Sequence, residues 1–275
     1  MARTSARKPR SRKAKTGKTE PLKKMVLAEA AMVAEAPEKK AEERRVPTGI
    51  PGLDELVGGG FEPGSVIIVA GGPGTGKSTV GLQFLINGIL QYGENGMYIT
   101  FEEQKDTVYR HMAKYGWDLE KLEAERRFLF LEYPPHEVDR FISEGGIIED
   151  MINEYGIKRI VIDSMTSFLL LYDSEYKRRQ AFLRTVETMR KWGATTILTS
   201  ESDLTPEGEV HTRFGVEFIS DGLIALHTVR RGDAIDIAVE VVKMRGQAHE
   251  RRLSPLMFTK KGIVVFPGQP VFTRR

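Results

Sequence analysis

Short apolar runs alternate with longer amphipathic segments through the middle of the chain. SVIIVA (65–70), MYITF (97–101), RFLFLEY (127–133), RIVID (159–163) and TTILTS (195–200) read as β-strands. SVIIVA is a short, all-apolar run of the kind a strand buried on both faces requires. Between these runs, segments near 77–92, 104–115, 137–155 and 174–192 read as helices. Strands alternating with helices predict an α/β fold with a parallel sheet covered on both sides. VPTGIPGLDELVGGGFEPGS (46–65) is dense in Gly and Pro and predicts turns around one short helix.

After residue 221 the pattern changes to antiparallel strands joined by turns, with Arg231-Gly232-Asp233 as one hairpin tip. From Ile235 the apolar residues recur at every second position. Ile235, Ile237, Val239 and Val241 are expected on one face, and Lys243 and Arg245 are expected to continue it. Two cations then stand where the pattern asks for apolar side chains. No repeat with a period of 20–50 residues is visible.

Charge divides the chain more clearly than composition does. Residues 1–45 carry 14 Lys/Arg and 6 Asp/Glu, whereas the other 230 carry 27 and 32. The tail is basic and residues 1–60 lack Phe, Trp and Tyr, so residues 1–45 are expected to be disordered, with a short helix over 22–36. A solubilising tail, a nucleic-acid or protein contact and a transit peptide all fit that composition. Residues 46–275 are expected to form the folded domain. The absence of cysteine, of a secretory signal and of a long apolar run predicts a cytoplasmic protein without a membrane span. Abundant charge with few Asn and Gln fits a thermophilic source.

GGPGTGKS (71–78) follows a buried strand and opens a helix, which is the context of a phosphate-binding loop. Its backbone amides and the helix N-terminus offer donors to phosphate oxygens; Lys77 can reach the β- and γ-phosphates, and Ser78 can hold Mg²⁺. RIVIDS ends a strand at Asp163, the expected second group for the metal. TFEE places Glu102 and Glu103 just past another strand, at the edge where open α/β sheets bind ligands. Glu102 is the expected base that orients the attacking water, with Glu103 in support; the pair also suits a helix start. Ser200 or Glu201 could sense the γ-phosphate or simply begin a polar loop. Lys243 and Arg245 are either an arginine-finger pair serving a neighbouring subunit or cations paired with the chain's own acids.

Taken in order, these segments resemble the KaiC family, a branch of the RecA-like ATPases. TGIPGLDELVGGG, GPGTGKST, TFEE, YGWDLEKL, VIDSMTS, FGVEFISDGLIAL and KMRGQAH carry the resemblance, which covers residues 46–275. It implies a RecA-like P-loop NTPase core, a mostly parallel sheet flanked by helices with C-terminal antiparallel strands, acting on ATP with Mg²⁺. Gly72, Pro73, Gly74, Thr75, Gly76, Lys77, Ser78 and Thr79 would bind the nucleotide. Lys243, Met244, Arg245 and His249 would contact it from the next subunit, as would Thr259, in a homo-oligomeric ring expected to be a hexamer. Such a ring would couple nucleotide state to a partner protein or process. Gln247 and Lys260 stand where the first ATPase domain of a two-domain family member has a Thr and an Asp near the nucleotide, so base recognition does not carry over. Glu217-Phe218 stands where a kinase domain of the family has a Ser-Thr phosphoacceptor pair, so autophosphorylation of that kind is not expected.

Two other readings share the motifs: a DNA-dependent recombinase of the RecA/RadA type, and a slow or non-hydrolysing nucleotide switch. The tail provides a first test. Removing residues 1–45 is expected to leave ATP turnover and oligomeric state unchanged. If the tail holds nucleic acid, filter binding by the intact chain will weaken steeply as salt rises, and the truncated chain will not bind.

Overall fold

SVIIVA forms β1 (Val66–Gly71), buried at every position. The cause is a parallel partner on each side. Val66–Ala70 pairs with Thr196–Ser200 of β5 (Thr195–Ser200), and Ile67–Gly71 with Gly222–Leu226 of β8 (Gly222–Arg231). β4 (Ile157–Asp163), β2 (Asn95–Thr100) and β3 (Phe128–Glu132) extend the sheet beyond β5, all parallel. Beyond β8, β9 (Ala234–Met244), β10 (Ser254–Thr259) and β11 (Gly262–Val265) run antiparallel. In this computed structural model, which describes residues 45–134, 141, 145–204 and 210–271, the strand order is β3-β2-β4-β5-β1-β8-β9-β10-β11. β6 (Ser202–Leu204) and β7 (Val210–Thr212) form a separate ribbon. The tail and the helix expected over 22–36 lie outside the described residues, as does most of the expected 137–155 helix before Gly145.

Helices cover both faces: α1 (Leu53–Leu56), α2 (Lys77–Tyr92), α3 (Lys105–Met112), α4 (Leu119–Ala124), α5 (Gly145–Tyr155), α6 (Met165–Leu170) and α7 (Glu175–Trp192). Alternate residues of β1 enter opposite cores. Ile67 and Val69 pack with Val80, Phe84 and Leu226, while Val66, Ile68 and Ala70 pack with Phe168, Phe182 and Leu223. Local chemistry sets several helix starts: Asp118, Ser164 and Ser174 each accept a backbone N–H from the first turn of α4, α6 and α7. The short α4 and α6 were not anticipated from periodicity. At six residues each, too few turns exist for a period to register.

The expected face of β9 is corrected by a bulge. Leu223 pairs with Lys243, but Ile224 pairs with Val241, so Val242 is an extra residue in β9. Beyond it the two faces exchange. Met244, not Lys243, joins Val239 and Val241 in the core, and Lys243 shares a face with Leu223 of the opposite core. The cations therefore do not interrupt an apolar row.

Two contacts fix α2. The buried amide of Gln83 pairs with Ile263 as a strand would, donating to its carbonyl (3.0 Å) and accepting its N–H (2.6 Å). At the far end, Arg159 of β4 is fully buried over the Phe84 and Tyr92 rings. It donates to Glu94 (2.6 Å) and to the Phe84 carbonyl (3.0 Å). Burial pulls its pKa down, and the Glu94 carboxylate opposes that shift. Removing one partner of a buried polar pair costs roughly 1–3 kcal/mol. Glu94→Ala should lose that much in urea denaturation, and adding Arg159→Met should return part of it by removing the stranded charge.

Candidate functional site

The phosphate loop leaves β1 at its carboxyl end and becomes the first turn of α2. Gly76 has φ +101°, a region that side-chain-bearing residues rarely adopt, and a Cβ there would lie 2.7 Å from the Phe258 ring. The first bond of α2 is Val80 N–H to the Gly76 carbonyl (2.9 Å), so the earlier amides are free for an anion. Thr75 Oγ1 donates to the Gly72 carbonyl (2.8 Å). Lys77 Nζ folds over the loop and donates to the carbonyls of Gly71 and Gly72, each at 3.0 Å. Burial lowers its pKa, and the negative fields of Asp163, Glu201 and Glu102 raise it again.

Asp163, at the end of β4, is buried. Its Oδ1 accepts from the Thr199 hydroxyl (2.5 Å) and its Oδ2 from the Tyr98 phenol (2.6 Å). Burial, reinforced by Asp163, pushes the phenol pKa well above its ordinary value, so it remains a donor. Both oxygens of Asp163, which is expected to hold a metal together with Ser78, are thus held by buried hydroxyls. Among the described residues no group of three or more His, Asp or Glu forms a cage for a metal. An oxygen pair that leaves room for water and phosphate suits Mg²⁺, which keeps several waters when bound to protein.

Glu102 and Glu103 follow β2, where the Thr100 hydroxyl accepts both of their backbone N–H groups (3.3 and 3.1 Å). Glu102 Oε1 accepts from the hydroxyls of Ser164 (2.7 Å) and Ser167. Burial, followed by the neighbouring Asp163, raises the Glu103 pKa. Beside them, Glu201 N–H donates to Thr166 Oγ1 (2.8 Å), and the Glu201 carboxylate pairs with Arg213. Lys77, Ser78, Glu102, Glu103, Asp163 and Glu201 therefore gather at one edge of the sheet.

Lys243 and Arg245 lie at the other edge. Lys243 Nζ donates to the carbonyls of Glu217 (3.0 Å) and Ser220 (2.6 Å), just before β8. Its burial, then the adjacent Arg245, lowers its pKa. Arg245 donates to the Phe218 carbonyl (2.7 Å), with Asp221 at 3.9 Å. Asp221 also accepts the backbone N–H of Val66 (2.9 Å) and the Arg190 guanidinium (2.8 Å). Met244 packs its side chain in the core against Gly222. His249 is half-buried with both ring nitrogens shielded and without hydrogen-bond partners. Thr259 closes the β10–β11 hairpin through the Gly262 carbonyl (2.8 Å). That hairpin belongs to the phosphate-loop edge, since the neighbouring Phe258 ring lies against Gly76.

Sequence reasoning missed Tyr98, Thr199, Ser164 and Ser167. Their signals were hydroxyls inside otherwise apolar strands and the serines that follow Asp163 in DSMTS.

A phosphate loop at the carboxyl edge of a mostly parallel, helix-covered sheet, with an acidic strand end beside it, defines a RecA-like nucleotide-binding domain. Known proteins narrow the class. A family profile described as "ATPase: KaiC" matches residues 46–270. A solved KaiC-like protein from the hyperthermophilic archaeon Pyrococcus horikoshii superposes with a TM-score of 0.73 at 38% identity, covering 82% of this chain and 99% of that one. A UPF0273 protein of Pyrococcus furiosus is 34% identical over 82% of this chain and 95% of its own length. The circadian clock oscillator protein KaiC of Prochlorococcus marinus is 34% identical over 82% of this chain but only 46% of itself, so the chain spans about half of that relative. The protein belongs to the KaiC family of ATPases. Among the described residues no helix is long and apolar enough to cross a membrane.

Removing the Lys77 charge tests the loop directly. Lys77→Ala should weaken ATP binding at least tenfold by calorimetry, about 1.4 kcal/mol, while Glu102→Gln, which keeps the loop whole, should bind as the parent does.

Proposed function

We propose that the protein hydrolyses Mg·ATP at sites shared between adjacent copies of a homo-oligomeric ring. One copy supplies the phosphate loop, Glu102 and Asp163, and its neighbour supplies Lys243 and Arg245. The sheet register carries this reading. Lys243 is level with Leu223, and Leu223 is level with Ile68, three residues before Gly71. At roughly 3.3 Å per residue, that sets the cation about 10 Å behind the start of its own phosphate loop. Its amino group also turns away, toward carbonyls that precede β8. A phosphate at the carboxyl edge of another copy is the anion these cations can serve.

In the proposed reaction, Lys77 exchanges the Gly71 and Gly72 carbonyls for β- and γ-phosphate oxygens, and the loop amides complete the cradle. Glu102 accepts a proton from water as the water oxygen bonds to the γ-phosphorus. The bond from that phosphorus to the β–γ bridging oxygen breaks, and ADP leaves with the electron pair. Magnesium held by Ser78 and Asp163 would supply positive charge to the phosphate oxygens. Lys243 and Arg245 of the neighbour neutralise charge spreading over the transferred group. An arginine supplied in trans is worth 10³–10⁵ in rate, roughly 4–7 kcal/mol of barrier.

Complementation tests the shared site. Arg245→Ala and Glu102→Gln should each hydrolyse ATP poorly. In rings made from both, some interfaces join the intact loop and Glu102 of an Arg245→Ala chain to the intact Arg245 of its neighbour. The mixture should therefore turn over faster than either variant, with mixed rings confirmed by native mass spectrometry. Mixed rings without recovered activity would return the two cations to their own chain.

A further inference from the structure

We propose that Tyr98 is a positioning residue that aims the metal-binding carboxylate of Asp163, a step that rests on the reading of Ser78 and Asp163 given above. Tyr98 lies in the middle of β2, fully buried, with its ring stacked on Phe130 at 5.4 Å. By position alone it is a core residue. Its hydroxyl sets it apart.

The strand register explains the reach. Tyr98 pairs with Val161 and Thr100 pairs with Asp163, so the phenol extends along its own face of the sheet to the end of β4. There it donates its one proton to Asp163 Oδ2 at 2.6 Å. A phenol has a single O–H, so the direction of this contact is fixed: Tyr98 donates and Asp163 accepts.

The Asp163 carboxylate is held from both sides. Thr199 occupies one site on Oδ1 at 2.5 Å and Tyr98 one on Oδ2, which stops the carboxylate from rotating and leaves each oxygen with a remaining acceptor site. Groups behind metal ligands of this kind change affinity by 10–100-fold when removed. Mg²⁺ gains most from such aiming, because it demands near-octahedral geometry, whereas Ca²⁺ tolerates irregular shells.

The experiment uses the full-length protein, Tyr98→Phe and a non-hydrolysable ATP analogue. Calorimetry measures analogue binding with Mg²⁺, with Ca²⁺ and with chelator. The variant keeps the ring and its stack but loses one buried hydrogen bond, so it should stay folded with a modestly lower melting temperature without nucleotide. It should bind the analogue normally in chelator, lose about tenfold or more of the affinity gained from Mg²⁺, and lose less of the gain from Ca²⁺. A structural role would weaken binding under all three conditions alike, and that result would overturn the assignment. So would a Mg²⁺ gain that survives whole in Tyr98→Phe. A parent protein that gains nothing from Mg²⁺ would instead overturn the metal reading of Ser78 and Asp163, and the role of Tyr98 with it.

Discussion

A strand can take parallel partners on both sides only if both its faces are covered, and β1 meets that condition between β5 and β8. Its sequence follows from this requirement: no position between Val66 and Ala70 can carry a charge. The same pairing fixes the direction in which the strand ends. Every parallel strand of the core then delivers its following residues to one edge, where the phosphate loop, Glu102, Asp163 and Glu201 meet. The site is a consequence of strand polarity before it is a matter of individual side chains.

The two edges differ in electrostatic character. Carboxylates gather at the phosphate-loop edge around the ammonium of Lys77. The opposite edge presents Lys243, Arg245 and Arg190, held by backbone carbonyls and Asp221. Asp221 accepts from the first residue of β1 and from Arg190 of α7, so the cation-bearing end of β9 is tied to the start of the central strand. Opposite charge on opposite ends suits head-to-tail contact between identical chains, which closes into a ring when the rotation allows.

Much of this was legible in the sequence because the physical requirements are local. A phosphate loop needs glycine where φ is positive, a lysine and a hydroxyl at fixed spacing, and an apolar strand before it. Five of the six parallel strands, β1 to β5, and the β8–β9 tip at Gly232-Asp233 followed from the same kind of reasoning, whereas the parallel pairing of β8 with β1 did not. The bulge at Val242 was not legible: one extra residue is set by pairing with β8, and alternation read along β9 alone carries no trace of it. Tyr98 was hidden for the opposite reason. Its ring satisfies the apolar pattern, and only the register between β2 and β4 shows where its hydroxyl ends. Thr199 was hidden in the same way inside a strand of buried residues.

The Gln83 amide has a mechanical consequence. By pairing with Ile263 it makes α2 an extra, side-chain-built neighbour of the last hairpin, and the Phe258 ring seats the same hairpin against Gly76. The last hairpin is therefore held to α2 at two points, the N-cap and a side chain about two turns further on. Any displacement of the outer strands would meet the phosphate loop through these two contacts rather than through a connecting loop.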